Sequence, residues 1–155
     1  MESQLPHPLY LSKRASYLPQ HDFTPDGLKI KTLFQLMKLS WDTFLCHFES
    51  FRSYQNIAIS KLSGGERRII ETYVILKSES PIILLDEPFS NISPLHIEKI
   101  KQLIEIEKAG KIIIVTDHYY LDIIDISDTL YLLNNGCTKK IEKLEELEDY
   151  KYLNL

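Results

Sequence analysis

Apolar residues recur along the chain in two rhythms. Between residues 28 and 51, Leu33, Phe34, Leu36, Met37, Trp41, Phe44, Leu45 and Phe48 fall close to helical spacing, which predicts one or two helices with an aromatic stripe turned to the core. A second helical pattern follows Ser63, a small polar residue suited to an N-cap. It carries Ile69, Ile70, Tyr73, Val74 and Leu76 and ends near residues 78–81. Ile82, Ile83, Leu84 and Leu85 break that rhythm: a continuous apolar run ending in Asp86, Glu87 and Pro88 predicts a strand buried on both faces of a parallel sheet. Ser93 and Pro94 then supply an N-cap and an N1 proline to a helix with apolar positions Ile97, Ile100, Leu103 and Ile104, stopped by Gly110. Residues 112–115 predict a second buried strand.

Strand, helix, strand is a right-handed crossover unit, and in such sheets ligands gather at the carboxyl ends of the strands. Asp86, Glu87 and His118 are expected on that one edge. Upstream, Tyr17 to Gln20 closes a short apolar segment, and residues 21–27, with Pro25 and Gly27, read as a loop. Downstream, residues 130–133, a turn at 134–136 and residues 137–141 predict a hairpin, and the acidic stretch 143–150 a terminal surface helix. The fold class is α/β, with parallel strands, flanking helices and a small helical region between residues 22 and 62.

Composition narrows the partners. A chain of 155 residues suffices for one domain, since at that size roughly 70% of the unfolded surface is buried. Hydrophobic residues at 44% and charged residues at 26% are ordinary for a globular protein and argue against disorder. A formal net charge of −4 offers no general positive field to nucleic acid or an anionic membrane, so no direct nucleic-acid partner is expected. Cys46 and Cys137 have no CxxC companion, which predicts two unpaired thiols in a reducing cytosol. The first ten residues lack a basic segment followed by an apolar run, and nothing approaches the ~20 apolar residues that cross a bilayer. Membrane association is therefore expected only through a partner.

Three groups of residues carry candidate chemistry. Leu62, Ser63, Gly64, Gly65 and Glu66 open a helix, and the two glycines let backbone N–H groups approach an anion at the positive end of the helix dipole. Taken alone, the same residues serve equally well as a cap after a turn. Asp86 and Glu87 send adjacent carboxylates to different partners, one to a Mg²⁺ ion and one to an attacking water, or else form a solvated acidic loop. His118 is placed to bond a phosphate oxygen or position water, or is a packed or solvated strand-end residue. His7, His21, His47 and His96 show no zinc-like spacing and receive no role.

The order and spacing of these groups resemble the ATP-binding cassette proteins. Gln20 in Tyr17-Leu18-Pro19-Gln20 resembles the family's Q-loop, and residues 62–66 its signature. Residues 82–88 resemble its Walker B strand, and Thr116-Asp117-His118 its switch histidine. The resemblance covers residues 17–141, and its wording is most similar to bacterial lipopolysaccharide-export and branched-chain amino-acid importer ATPases. It implies a partial P-loop NTPase-like core over residues 1–21 and 63–155, with residues 22–62 as the helical subdomain that meets a transmembrane transporter subunit. It further implies ATP and Mg²⁺ as cofactors, with Gln20 and Asp86 at the magnesium shell, partly through water. Glu87 would polarise the attacking water, His118 would contact the γ-phosphate, and Ser63, Gly64 and Gly65 would cap ATP held by a second cassette subunit in a homo- or heterodimer. The expected location is the cytoplasmic face of the cell membrane, held there by the transmembrane partner.

The chain departs from the family at two places. No Gly-x-x-x-x-Gly-Lys-[Ser/Thr] occurs, so the loop that cradles phosphates is not in this sequence. Ser93 stands where the family usually has aspartate. Two accounts fit: a truncated product of a full cassette, or a half-cassette that lends its signature to a P-loop partner. In either, the chain alone is expected to be inactive, and the remaining sheet is expected to present an apolar edge. Cassette heads of the chromosome-maintenance and DNA-repair type share similar motifs, but coiled-coil heptads and a basic stripe are absent here.

Overall fold

Three strands, β1 (Ala15–Leu18), β2 (Ile82–Asp86) and β3 (Ile112–Thr116), form a parallel sheet in the order β1-β2-β3. The computed structural model describes residues 13–134 and 136–149. The readings that fell on residues 1–12, 135 and 150 lie outside them. Helix α4 (Pro94–Glu107) connects β2 to β3, as the apolar pattern around Pro94 predicts. The register aligns Leu18, Leu85 and Val115 in one row and Tyr17, Leu84 and Ile114 in the next.

That register corrects the expectation of two strands buried on both faces. Leu18, Ile83 and Leu85 are buried, but on the opposite face Tyr17, Ile112 and Ile114 are 52%, 63% and 52% exposed. Successive strand residues point to opposite faces, so an all-apolar strand is buried twice only where both faces are covered. Helix α3 (Gly64–Leu76) packs on β1, β2 and α4. Among the described residues of these three strands, the buried ones all lie on one face of the sheet.

Between β1 and α3 the chain forms two short helices, α1 (Ile30–Leu36) and α2 (Trp41–His47), and 3-10 turns at Glu49–Phe51 and Ile59–Lys61. Lys38 in the left-handed region (φ 55°) breaks the helical run. Ser40 restarts it, its hydroxyl accepting from the Thr43 amide at 3.2 Å. The aromatic stripe is core: the buried Phe44 ring lies 4.9 to 5.3 Å from those of Phe34, Trp41, Phe48, Phe51 and Tyr73. Glu71, fully buried on α3, accepts from the Phe23 and Thr24 amides (3.2 and 3.0 Å) and pairs with Arg67 at 3.3 Å. It thereby ties the loop after β1 to α3.

The chain divides into two compact units, Met1–Tyr119 and Tyr120–Leu155. The second holds α5 (Tyr120–Ile126), an antiparallel hairpin of β4 (Leu130–Asn134) and β5 (Cys137–Ile141), and α6 (Glu146–Asp149). The hairpin matches the expectation, the terminal helix forms over Glu146–Asp149 and not over residues 143–145, and α5 is an added element. Lys139 on β5 meets Glu146 on α6 at 2.6 Å.

Candidate functional site at the carboxyl edge of the sheet

The sheet register brings the candidate carboxylates to one edge. Asp86 ends β2 opposite Thr116, the last residue of β3, and the Thr116 hydroxyl donates to Asp86 Oδ1 at 2.7 Å. Tyr17, diagonal to Asp86 across β1, donates its hydroxyl to Oδ2 at 3.0 Å. The hydrogen bond to the carboxylate holds the Tyr17 phenol above its ordinary pKa. Asp86 thus presents an all-oxygen cluster of one carboxylate and two hydroxyls, the hard-donor chemistry that suits Mg²⁺ when waters and phosphate oxygens complete the shell. No group of three or more His, Cys, Asp or Glu able to hold a metal occurs among the described residues.

Glu87 turns out of the sheet. Its amide continues the ladder, donating to the Thr116 carbonyl at 2.7 Å, while its φ of 52° bends the chain and redirects the side chain. A left-handed conformation costs a non-glycine residue roughly 1–2 kcal/mol and persists only where neighbours impose it. Gln20 Nε2 donates to Glu87 Oε1 at 3.0 Å, and His118 Nε2 lies 2.9 Å from the same oxygen. The His118 side chain is 88% exposed against 17% for Glu87. Asp117 secures the loop beyond: its Oδ2 accepts from the Phe89 amide and its Oδ1 from the Tyr119 amide, both at 3.0 Å.

Residues 62–66 form a separate structure at the start of α3. Ser63 is the N-cap of a complete capping box: its hydroxyl accepts from the Glu66 amide at 3.3 Å, and Glu66 Oε2 accepts from the Ser63 amide at 2.8 Å. Tyr54 adds a hydroxyl bond to Glu66 Oε1 at 2.9 Å. Burial pushes the Glu66 carboxyl up, but the Ser63 amide and hydroxyl and the Tyr54 hydroxyl outweigh it and hold the group below the usual glutamate value. The two glycines differ. At Gly64 a side chain would meet open space, whereas a Cβ at Gly65 would overlap the carbonyl oxygen of Asn91.

Gln20, Glu87 and His118 therefore meet at one oxygen with Asp86 beside them, while Leu62, Ser63, Gly64, Gly65 and Glu66 are gathered at the head of α3. Sequence reasoning did not identify Tyr17 and Thr116 as partners of Asp86, nor Arg68, whose 4%-exposed side chain donates to the Pro19, Asp86 and Glu87 carbonyls. The available signal was the position of Tyr17 and Thr116 on neighbouring strands two and zero steps from the carboxylate.

No family model matches the chain. In sequence it is similar to the lipopolysaccharide export system ATP-binding protein LptB of Haemophilus influenzae, 36% identical over 76 residues covering 48% of this chain and 32% of that protein. LptB of Escherichia coli K12 is 33% identical over 91 residues, 58% of this chain and 36% of the relative. The energy-coupling factor transporter ATP-binding protein EcfA3 of Oenococcus oeni is 36% identical over 94 residues, 59% and 33% respectively. The chain thus spans about a third of the length of the curated relatives it matches. In structure it is similar to an ATP-binding subunit of an ABC transporter, with a TM-score of 0.73 at 19% identity, covering 90% of this chain and 62% of that one. It is also similar to the archaeal ribosome recycling factor aABCE1 (TM-score 0.65, 24% identity, 79% and 26% covered).

Proposed function

We propose that this chain, similar in sequence to ATP-binding subunits of ABC transporters, carries the signature and Walker B parts of such a cassette and serves ATP hydrolysis in a bacterial transporter. The observation that carries the proposal is the convergence of Gln20 and His118 on Glu87 Oε1, 2.9 to 3.0 Å away, beside an Asp86 ringed by hydroxyls. A carboxylate held by the Gln20 hydrogen bond and the close His118 ring nitrogen at the carboxyl edge of a parallel sheet is placed to orient a water for attack on a phosphate.

Glu87 is the group that polarises the attacking water, with Gln20 and His118 fixing its orientation and the exposed His118 reaching toward the γ-phosphate. Asp86 and Gln20 would hold Mg²⁺, partly through water, and the bound ion would supply positive charge beside the phosphates. Ser63, Gly64 and Gly65 cap ATP presented by a second cassette subunit, and the open space over Gly64 supports that close approach. The phosphate-cradling loop comes from a P-loop segment or subunit outside this sequence. The small helical region, residues 22–62, faces a transmembrane partner, which holds the chain at the cytoplasmic face of the membrane. No helix among the described residues is long and apolar enough to cross one.

In a cassette completed by a P-loop, Glu87→Gln retains ATP binding and lowers hydrolysis by about a hundredfold or more, because the carboxylate is lost while the shape is kept. Steady-state phosphate release and nucleotide retention measured together decide it, and turnover equal to the parent would sink the assignment.

A further inference from the structure

Arg68 lies in the second turn of α3, and every hydrogen-bond partner of its buried guanidinium is a main-chain carbonyl at the candidate site. Nη1 donates to Pro19 O at 2.7 Å, immediately ahead of Gln20. Nη2 and Nε donate to Glu87 O at 3.0 and 3.2 Å, and Nη2 also reaches the Asp86 carbonyl. Burying a guanidinium is costly, and a core-filling role would be met by an apolar residue. The carboxylates of Glu71, Asp22, Asp117 and Asp86 offset part of that cost from nearby, and the direct hydrogen bonds all go to carbonyls of the segments that bear Gln20, Asp86 and Glu87, a task for which the rigid fork of arginine is suited.

A second contact lies on the same helix face three residues earlier. Gly65 is pressed so closely on Asn91 that no Cβ fits between the helix and that carbonyl. The loop from Glu87 to Asn91 begins and ends in left-handed residues, with φ of 52° and 59°, so its shape needs outside restraint. Arg68 holds its first carbonyls, Asp117 its Phe89 amide and Gly65 its far end. Ser93 bonds to His96 Nδ1 at 2.9 Å and gives no side-chain cap.

We infer that Arg68 is a positioning residue. With the Gly65–Asn91 contact it fastens the head of α3 to the loop bearing Glu87, so that displacement of residues 62–66 is passed to Glu87 within the same molecule. The mechanical link stands on geometry alone, and its consequence for hydrolysis rests on the proposed ATPase function.

Amide hydrogen exchange on the 155-residue chain tests the link. Arg68→Gln should accelerate exchange at Glu87, Phe89 and Ser90 about tenfold or more, while α4 amides stay near their parent rates. Gly65→Ala, a change that favours helix in isolation, should loosen the same loop from its other end and decides the matter if Arg68→Gln does not fold. Unchanged loop exchange in the folded variants, or equal acceleration throughout α4 and the sheet, overturns the inference.

In the P-loop-completed cassette, Arg68→Gln should lower kcat about tenfold with the ATP KM nearly constant, and Arg68→Lys should restore part of it. An unaltered kcat would also overturn it. If the parent assembly itself shows no turnover, the ATPase function fails and the exchange result still decides the link.

Discussion

Glu107 shows how much one side chain can concentrate. Lys77 Nζ and Lys111 Nζ each lie 2.6 Å from one of its carboxylate oxygens, joining the ends of α3 and α4 to the residue that leads into β3. Burial alone would raise the carboxyl pKa, but the bonds from Lys111 and Lys77 prevail and hold it below its ordinary value near 4.5. A group whose pKa is depressed on folding contributes stability above its unfolded pKa and loses it as pH falls through the folded value. The urea midpoint should therefore drop on acidification below about pH 4.5, and Glu107→Gln should flatten that acid limb. An acid limb of parent slope in the variant would contradict the assignment. The Lys77–Glu107 pairing, like those of Tyr17 with Asp86 or Arg68 with Pro19, joins residues distant in the chain. The sequence shows charge types but not which of them meet. That Asp86, Glu87 and His118 share one sheet edge was legible because the ends of apolar strand runs can be read locally.

Elements were legible where periodicity is long and caps are plain. Ser63 with Glu66, and Ser93 with Pro94, marked the starts of α3 and α4, and the apolar runs marked β2 and β3. The region around Phe44 reads as one or two helices from periodicity alone. Lys38 at positive φ and the Ser40 cap decide for two, and neither conformation is written in the hydrophobic pattern. Helix α5 escaped notice because its seven residues, Tyr120–Ile126, are too few to show a clear period. The aromatic cluster is what holds the short helices α1 and α2, since isolated helices of seven residues are unstable. Phe44→Ala removes the ring shared by both helices and α3 and should cost about 3–5 kcal/mol in urea unfolding. A loss under about 1 kcal/mol would mean that the cluster closes around the gap.

For the whole molecule, what decides activity is which parts of a phosphate site one chain can supply. The sheet edge gathers the hydrogen-bonded Glu87 carboxylate, an all-oxygen cluster around Asp86 and an exposed histidine, yet the sequence holds no Gly-rich Lys-[Ser/Thr] loop to neutralise and cradle a triphosphate. A Ser-Gly-Gly helix start cannot replace it. The Ser63 hydroxyl and amide are already engaged with Glu66, the Cβ side of Gly65 faces the Asn91 carbonyl, and the space over Gly64 is open. The face that carries Tyr17, Ile112 and Ile114 was read as buried because strand composition reports what a face could bury, and coverage depends on what packs there. Electrostatic stabilisation by oriented donors is commonly the largest part of catalysis, so Glu87 without a phosphate cradle has nothing to act on. The purified 155-residue chain should therefore release no phosphate from Mg-ATP above background, and adding a P-loop-bearing cassette subunit should bring turnover that Glu87→Gln in this chain diminishes. Magnesium-dependent hydrolysis by the chain alone, lost in Glu87→Gln, would show instead that its own residues cradle the phosphates.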